Sequence, residues 1–327
     1  MFENLIFDLE VTYKELLEYK TDWYNENKIK LLKLVNNDNF NLNSKINITR
    51  WKHNEIPYDV LNKKLAIEVK NDIYQYSNNL DGYENWYVNF ADGDLFIAYG
   101  SKLLAQDEHQ VLEHPILANI REFLLTKSKT DSRFDPNTRN YDNKPYFPTP
   151  ILIKNAKRIF DIDTKPDDIN ANGIYGKNFA LSSFDEILRK TTIINYSQYS
   201  NIIAMDAYTA SLGFYTKEQI KDLFITAYTA FKAAKNISLS NKVFINTGDW
   251  GTGVNGGNKI INALLQLLAA LFAEIDLVVF YTSDIKSFNE TTKLFEYFTI
   301  TNKLINIDKI FDELVQMNFE WKEGDGN

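Results

Sequence analysis

The amino-acid sequence predicts an α/β fold in which helices cover both faces of a largely parallel sheet. In the C-terminal half, short apolar segments alternate with longer helical ones, as strands and helices do in such folds. The predicted strands are 201–205, 242–246 and 277–281, and the predicted helices are 217–235, 258–272 and 286–298. Helix 258–272 is apolar nearly all round, which indicates that it is buried.

The N-terminal part of the chain has a different pattern. Leucine and isoleucine residues recur there at roughly helical spacing between charges, which predicts helix over residues 1–35. Further along, the predicted elements are strand 86–91, a short extended piece at 95–99, and helices 103–112 and 116–125. We therefore expect a mostly helical accessory region, residues 1–60, and a larger α/β domain, residues 61–327.

The composition excludes several classes of function. The chain of 327 residues is acidic, with 44 Asp and Glu against 36 Lys and Arg, which argues against binding to nucleic acids or membranes. It has no cysteine, so disulfides, thiol nucleophiles and Cys-ligated metals are excluded. The acidic N-terminus is unlike a secretory signal peptide, and the longest apolar run, 263–273, is too short to span a bilayer. We expect a soluble, cytoplasmic protein, or one that a specialised secretion system delivers into a host or target-cell cytosol.

The most distinctive segment is the glycine-rich turn between strand 242–246 and helix 258–272. Five of the 13 glycines fall between positions 248 and 257. Such a turn exposes backbone N–H groups at a helix N-terminus and lets a ligand approach closely, which predicts a phosphate-binding site. The alternative is a tight strand-to-helix turn, for which one or two glycines suffice.

The same turn fits the dinucleotide-binding pattern G-x-G-x-x-G at Gly251, Gly253 and Gly256. That pattern normally opens its domain and is followed by an acidic residue at the end of the next strand. Here it lies late in the chain, and Asp276 stands at the start of the next strand. An NAD-binding Rossmann enzyme is therefore the less favoured interpretation.

The histidines do not predict a metal site. His109 and His114 are five residues apart, about 140° around a helix, so they do not share a face. Together with Glu113 they form neither of the zinc-binding patterns HExxH and HxxEH. We expect no metal and no cofactor.

The glycine-rich turn also carries a family resemblance. The segment TGDWGTGVNGGNK at 247–259, followed by ALLQLLAA at 263–270, resembles the poly(ADP-ribose) glycohydrolase family, in which TGNWGCGAFGGD precedes ALIQxLAA. Further segments resemble the family in the same order along the chain: IYGKNF at 174–179, IIAMDA at 202–207 and DLVVF at 276–280. The resemblance implies a macrodomain-like, three-layer α/β/α fold with a mixed sheet, beside the accessory region.

The catalytic signature of that family is three glycines, a short spacer and QEE, preceded by FAN. This chain has FAD at 90–92 and QDE at 106–108, with FIA at 96–98 in place of the glycines. The resemblance implies that Glu108 is the catalytic acid/base and Asp107 its partner. It also implies a set of ligand-binding residues: Asp92, Gln106, Tyr175, Phe179, Gly248, Asp249, Gly251, Thr252, Gly253, Val254, Asn255 and Gly256.

Each implied role has an alternative. Tyr175 and Phe179 are candidates to stack on adenine, or they are core residues. Asp107 could hold ribose hydroxyls or raise the pKa of Glu108 through its like charge, and Gln106 would orient the substrate or its neighbours. Alternatively, Asp107 and Glu108 are the solvated first turn of a helix, where acids favour the helix dipole.

Two functions follow from the resemblance. The first is an ADP-ribosyl hydrolase, a glycosidase-type enzyme that releases ADP-ribose from an ADP-ribosylated protein. The second is a catalytically inactive module that binds ADP-ribose or an ADP-ribosylated protein. The lost glycine triplet, the shortened acid Asp107, and Asn255 and Thr282 in place of family aromatics argue against a polymeric substrate.

Overall fold

The computed structural model describes residues 3–35, 41–53, 55–57, 64–76, 80–139, 147–207, 211–301 and 306–324. Within them, eight strands form one sheet. The strands are β1 (Leu5–Thr12), β2 (Lys45–Trp51), β3 (Ala66–Lys70), β4 (Tyr83–Ala91), β5 (Ile151–Ile162), β6 (Thr191–Asp206), β7 (Lys242–Gly248) and β8 (Leu277–Tyr281). Their order across the sheet is β1-β2-β5-β6-β4-β7-β8-β3.

The sheet is mixed. Strands β1, β2, β5 and β6 pair antiparallel with one another, whereas β6, β4, β7, β8 and β3 run parallel. The predicted strands 201–205, 242–246 and 277–281 lie in β6, β7 and β8. The α/β prediction is therefore confirmed, and the parallel part contains the strands whose alternation with helices predicted it.

Ten α-helices surround the sheet within the described residues. They are α1 (Tyr13–Leu17), α2 (Glu26–Leu32), α3 (Gln106–Glu113), α4 (Ile116–Ser128), α5 (Asn178–Leu181), α6 (Phe184–Arg189), α7 (Lys217–Ile237), α8 (Lys259–Phe272), α9 (Ile285–Glu296) and α10 (Ile307–Gln316). Helix α8 begins after Asn258, whose Oδ1 accepts a hydrogen bond from the Ile260 N–H (3.0 Å). As predicted, α8 is buried along almost its whole length.

Different helices cover the two faces of the sheet. On β4, Trp86 and Val88 join the core that contains α7 and α8, while Tyr87 and Ala91 join the core that contains α4. This alternation follows from the two-residue period of a strand. The result is the three-layer α/β/α arrangement that the sequence predicts.

The prediction of helix over residues 1–35 is wrong for its first part. Residues 5–12 form β1, which pairs with β2, and only five and seven residues are helical in α1 and α2. Along β1, Phe7 and Val11 are buried, whereas Asp8 and Glu10 are exposed. This two-residue alternation of apolar and acidic residues fits a strand with one buried and one exposed face.

The described residues up to 51 contain two strands, β1 and β2, as well as the two short helices α1 and α2. Both β1 and β2 extend the sheet beyond β5, which is part of the same sheet as the glycine-rich turn. A domain boundary at residue 60 stays a prediction, since residues 58–63 lie outside the described residues.

Residues 95–99 form turns rather than an extended piece. The N–H groups of Ile97 and Tyr99 donate to the carbonyls of Asp94 and Phe96, each at 3.1 Å. Helix α3 begins at Gln106, three residues later than predicted, and α4 begins directly after Pro115. Among the described residues, no helix is both long and apolar enough to cross a membrane.

Candidate active site

The candidate site lies where β4 and β7 separate at their carboxyl ends. The two strands pair up to Tyr87 and Asn246, and beyond that pair the Gln106 side chain takes the place of a neighbouring strand. Its Oε1 accepts a hydrogen bond from the Phe90 N–H (2.7 Å), and its Nε2 donates to the Val88 carbonyl (3.0 Å). Gln106 therefore holds the first turn of α3 against a central strand of the sheet.

Two acidic residues in the first turn of α3 are buried: Asp107 is 8% exposed and Glu108 is 5% exposed. They are therefore not a solvated helix start. Glu108 Oε2 accepts a hydrogen bond from the Ala105 N–H (3.1 Å), as an acid at this helix position commonly does. Burial raises the pKa of Glu108, the charge of Asp92 adds to this effect, and the charge of Lys28 opposes it.

Asp107 lies beside Asn89, a fully buried residue of β4. Neither Asp107 Oδ1 nor either amide atom of Asn89 has a hydrogen-bond partner of ordinary geometry among the described residues. Burial and then the charge of Glu108 raise the pKa of Asp107 well above its usual range, while the nearby Asn89 side chain lowers it. These unsatisfied polar atoms can bond to a ligand hydroxyl or a water molecule.

Asp92 follows the last residue of β4 and is exposed. Its Oδ1 accepts a hydrogen bond from the Asp94 N–H (3.0 Å), which shapes the turn that leaves the strand. Its charge nevertheless contributes to the raised pKa values of Asp107 and Glu108. All three acids therefore lie within electrostatic reach of one another.

Lys28, on α2, is a member of the site that the sequence analysis missed. It is fully buried, and its Nζ donates to the carbonyls of Tyr99 and Leu103, both at 2.8 Å. Burial lowers the pKa of Lys28 to about 8, although the negative charges of Glu108 and Asp107 on α3 raise it. The available sequence signal is weak: Lys28 precedes Leu31 by three residues, which puts both on the buried face of a short helix.

The glycine-rich turn joins β7 to α8 and runs close to its neighbours. Gly251 has a φ of 74°, in the region that favours glycine. A Cβ atom on Gly251 would lie 2.6 Å from Ala207 Cβ, and one on Gly248 would lie 2.5 Å from the Tyr281 carbonyl oxygen. Close packing therefore accounts for glycine at these two positions, as in the tight-turn alternative.

Backbone N–H groups of the same turn are available to an anion. Within residues 251–255, four of them have no acceptor among the described residues: those of Gly251, Gly253, Val254 and Asn255. The Gly257 N–H instead donates to the Gly251 carbonyl (3.0 Å), which closes the turn before α8. Four such donors before a helix N-terminus resemble the backbone arrangements that bind phosphate groups.

Side chains of the turn are anchored by the rest of the chain. Trp250 is fully buried, and its Nε1 donates to the Met205 carbonyl at the end of β6 (3.2 Å). Asp249 Oδ2 accepts a hydrogen bond from Thr282 Oγ1 (2.9 Å) and pairs with Lys259 Nζ (3.0 Å). The charge of Asp249, which would repel a phosphate, is thus partly neutralised.

The other predicted residues of the turn differ in their exposure. Thr252 Oγ1 donates to the Asp249 carbonyl (2.8 Å), Val254 is exposed, and Asn255 is half-buried. Gly256 has a φ of 64°, and its carbonyl accepts a hydrogen bond from the Lys322 N–H (2.7 Å). The end of the described chain therefore packs against one side of the turn.

The two aromatic candidates have different environments. Phe179 is fully buried in a core with Leu104 and Leu112, so its ring faces are covered by protein. This burial favours the core alternative for Phe179, and stacking on adenine stays a prediction. Tyr175 is 39% exposed, and its neighbour Gly176 pairs with Leu104, just before α3. Tyr175 therefore lies at the edge of the site.

Phe96 stands where the family resemblance places a glycine. It has a φ of 56°, a left-handed conformation that costs a non-glycine residue about 1 kcal/mol or more. Its ring is fully buried in the core that contains α4, and this burial offsets the strain. The backbone thus keeps a glycine-like turn, while the neighbouring Ile97 is half-exposed.

The residues weighed as metal ligands have structural partners. The His114 ring nitrogens lie 2.9 Å from the Gln110 carbonyl and from Ser200 Oγ, and Glu113 pairs with Arg158 (2.9 Å). The part of the chain that the structure describes contains no group of three or more His, Asp or Glu that could hold a metal.

Comparison with known proteins finds a family match over part of this chain and several similar solved structures. Residues 166–290 match a family model described as "Poly (ADP-ribose) glycohydrolase (PARG), Macro domain fold". Among solved structures, PARG from Thermomonospora curvata is 13% identical with a TM-score of 0.43, over 73% of this chain and 79% of that one. PARG from Deinococcus radiodurans in complex with ADP-ribose is 12% identical with a TM-score of 0.43, over 70% and 84% of the two chains.

The matched residues include β6, β7, the glycine-rich turn and α8, whereas the carboxyls of α3 lie outside them. The match therefore covers the turn that first suggested the family. Residues 166–290 are therefore similar to this family model, and they lie in a mixed sheet covered by helices.

Proposed function

We propose that the protein is an ADP-ribosyl hydrolase that releases ADP-ribose from an ADP-ribosylated protein. The supporting observation is that a buried carboxyl, Glu108, and a turn with four available N–H groups, 251–255, lie beside adjacent strands. The carboxyl suits proton transfer and the turn suits a diphosphate. ADP-ribose contains both a diphosphate and a ribose with a reactive anomeric carbon, so one ligand would use both features.

Glu108 would act first as an acid and then as a base. The bond between the anomeric carbon and the leaving oxygen breaks as that oxygen takes the proton of Glu108. Burial supports this role, since it raises the pKa of Glu108 and keeps more of the carboxyl protonated near neutral pH. The Glu108 carboxylate then removes a proton from the water that attacks the oxocarbenium-like carbon. The products are ADP-ribose and the unmodified side chain.

The neighbouring polar residues would orient the ribose. Asp107 Oδ1 and the Asn89 amide are buried with no hydrogen-bond partner among the described residues, and a pair of ribose hydroxyls would satisfy them. Asp92, at the exposed end of β4, would contact the nucleotide part. Tyr175 has a partly exposed ring that would stack on adenine.

The replaced glycine triplet limits the substrate that we propose. Glycine would leave the turn at 96–98 without side chains, whereas Ile97 presents a half-exposed side chain beside the fully buried Phe96. The added bulk disfavours a second ADP-ribose unit next to the reacting ribose. We therefore propose a mono-ADP-ribosylated protein as the substrate in preference to a polymer.

The test is the release of free ADP-ribose from a mono-ADP-ribosylated protein. Wild type should release it, and Glu108→Gln should lose at least about a hundredfold in rate, because glutamine cannot transfer the proton. Glu290→Gln, at an exposed position of α9, is the matched control and should retain wild-type activity. Equal rates for wild type and Glu108→Gln would remove Glu108 from the mechanism.

A catalytically inactive ADP-ribose-binding module is the second candidate. The observation that favours it is the altered signature, with side chains at 96–98 and the shorter acid Asp107. It predicts that ADP-ribose binds in calorimetry while neither mono- nor poly-ADP-ribosylated substrates are cleaved. An NAD-dependent Rossmann enzyme is the least favoured candidate, and hydride transfer measured by the absorbance of the reduced cofactor would reveal it.

A further inference from the structure

Lys28 reaches the candidate site from a separate part of the chain. It lies on α2, and its Nζ donates to the carbonyls of Tyr99 and Leu103, both at 2.8 Å. These carbonyls stand in the segment between β4 and α3, which leads directly to the two buried carboxyls. An ammonium group has three N–H donors, so one remains after these two hydrogen bonds.

The surrounding contacts make this placement specific. The Asn25 N–H, at the start of α2, donates to the Gly100 carbonyl (3.0 Å). A Cβ atom on Gly100 would lie 2.3 Å from the Asp22 carbonyl oxygen, so the two segments touch at the backbone. The Trp23 ring packs edge-on against the Tyr99 ring, with centroids 4.8 Å apart. The chain before α2 therefore packs against the segment that leads to α3.

A fully buried lysine is costly unless neighbouring groups stabilise its charge. Two carbonyl oxygens contact Nζ, and the other charged groups that act on it are Glu108 and Asp107. The charge of Lys28 lowers the pKa of Glu108, and the charge of Asp92 raises it. The positive charge of Lys28 therefore favours the ionised form of this acid.

We propose that Lys28 is a positioning residue: its two hydrogen bonds hold the 99–103 segment at the entrance to α3, and its positive charge acts on Glu108 of that helix. This inference rests on the proposed function, because it concerns the acid of that reaction. It assigns residues 22–28 to the active site, although sequence patterns place them in an accessory region. The pKa of Lys28, about 8, also means that the ammonium itself titrates just above neutral pH.

The first experiment compares the pH dependence of kcat/KM for wild type, Lys28→Met and Lys28→Arg. Removal of the positive charge raises the pKa of Glu108, so the limb that reports loss of the Glu108 proton should move to higher pH. We expect a shift of at least about half a pH unit for Lys28→Met and a smaller one for Lys28→Arg, which keeps the charge. Lys30→Met, an exposed position on the same helix, should leave the profile unchanged. Superimposable wild-type and Lys28→Met profiles would overturn the proposal.

The second experiment does not depend on activity. A double-mutant cycle combines Lys28→Met with Glu108→Gln and follows urea unfolding at a series of pH values that spans the ionisation of Glu108. Because Lys28 and Glu108 attract each other when both are ionised, Lys28→Met should lower the unfolding midpoint less in the Glu108→Gln background than in wild type. Additive effects of the two substitutions at every pH of the series would overturn the proposal. A coupled pair in a protein that releases no ADP-ribose would retain the Lys28 assignment and reject the hydrolase.

Discussion

Gly251 offers the sharpest test of the glycine-rich turn, because the chain contains a matched control. Gly251 and Gly213 both have a φ of 74°. A Cβ atom on Gly251 would lie 2.6 Å from Ala207 Cβ and 3.0 Å from Asn262 Nδ2, whereas one on Gly213 would have no described atom within 4 Å. Replacement of each by alanine therefore adds the same backbone strain, but only Gly251→Ala adds a steric clash.

The structure gives the expected size of the difference. An alanine in the left-handed region costs about 1–2 kcal/mol, and this is the whole expected cost of Gly213→Ala. A methyl group forced into a closely packed site adds about 1–3 kcal/mol. The neighbours of Gly251 cannot easily move, because Asn262 Nδ2 donates to the Trp250 carbonyl (3.1 Å) and Asn262 Oδ1 accepts from Tyr215 Oη (3.1 Å). Gly251→Ala should therefore cost about 2–5 kcal/mol.

Urea unfolding measures both costs, with an unchanged slope as the sign that only stability has changed. Calorimetry with ADP-ribose then separates stability from function. Gly251→Ala should bind ADP-ribose more weakly than wild type, since the turn must shift, while Gly213→Ala should bind it normally. Equal losses of stability in the two variants, with unchanged ADP-ribose binding in both, would refute the packing argument for this turn.

Two further predictions concern the buried polar residues behind the site. Burial lowers the pKa of His114 to about 4. Between pH 6.5 and pH 4 the unfolded chain therefore binds a proton that the folded chain does not. The neutral ring stabilises the folded protein fully above pH 6.5, and this stabilisation is lost as the pH falls toward 4. Between these pH values, the unfolding free energy of wild type, measured by urea titration, should fall by up to about 3 kcal/mol, whereas that of His114→Gln should not show this loss. Parallel plots of unfolding free energy against pH for the two proteins would contradict a neutral, buried His114. Glu113→Gln should cost about 3 kcal/mol in the same assay at pH 7, because it leaves the mostly buried Arg158 without its most buried acidic partner. The control Glu26→Gln, at an exposed position, should not change the midpoint, and an equal change in both variants would reject the prediction.

Local patterns in the sequence determined the α/β class and the position of the glycine-rich turn. Apolar strands alternate with helices from residue 201 onward, and the structure contains them in β6, β7 and β8. The same patterns placed Glu108 in a helix, whose first turn begins three residues later than predicted, at Gln106. These features depend on residues within a few positions of one another, so a single sequence encodes them directly.

Long-range packing decided the rest. Residues 5–12 form a strand because β2 pairs with them, and Phe179 is buried because residues as distant as Leu31 complete its core. Lys28 belongs to the candidate site only because the carbonyls of Tyr99 and Leu103, more than seventy residues away along the chain, receive its ammonium group. The environment of a buried polar group is made by elements remote in sequence, so its burial and pKa follow from the tertiary structure and not from its neighbours in the chain.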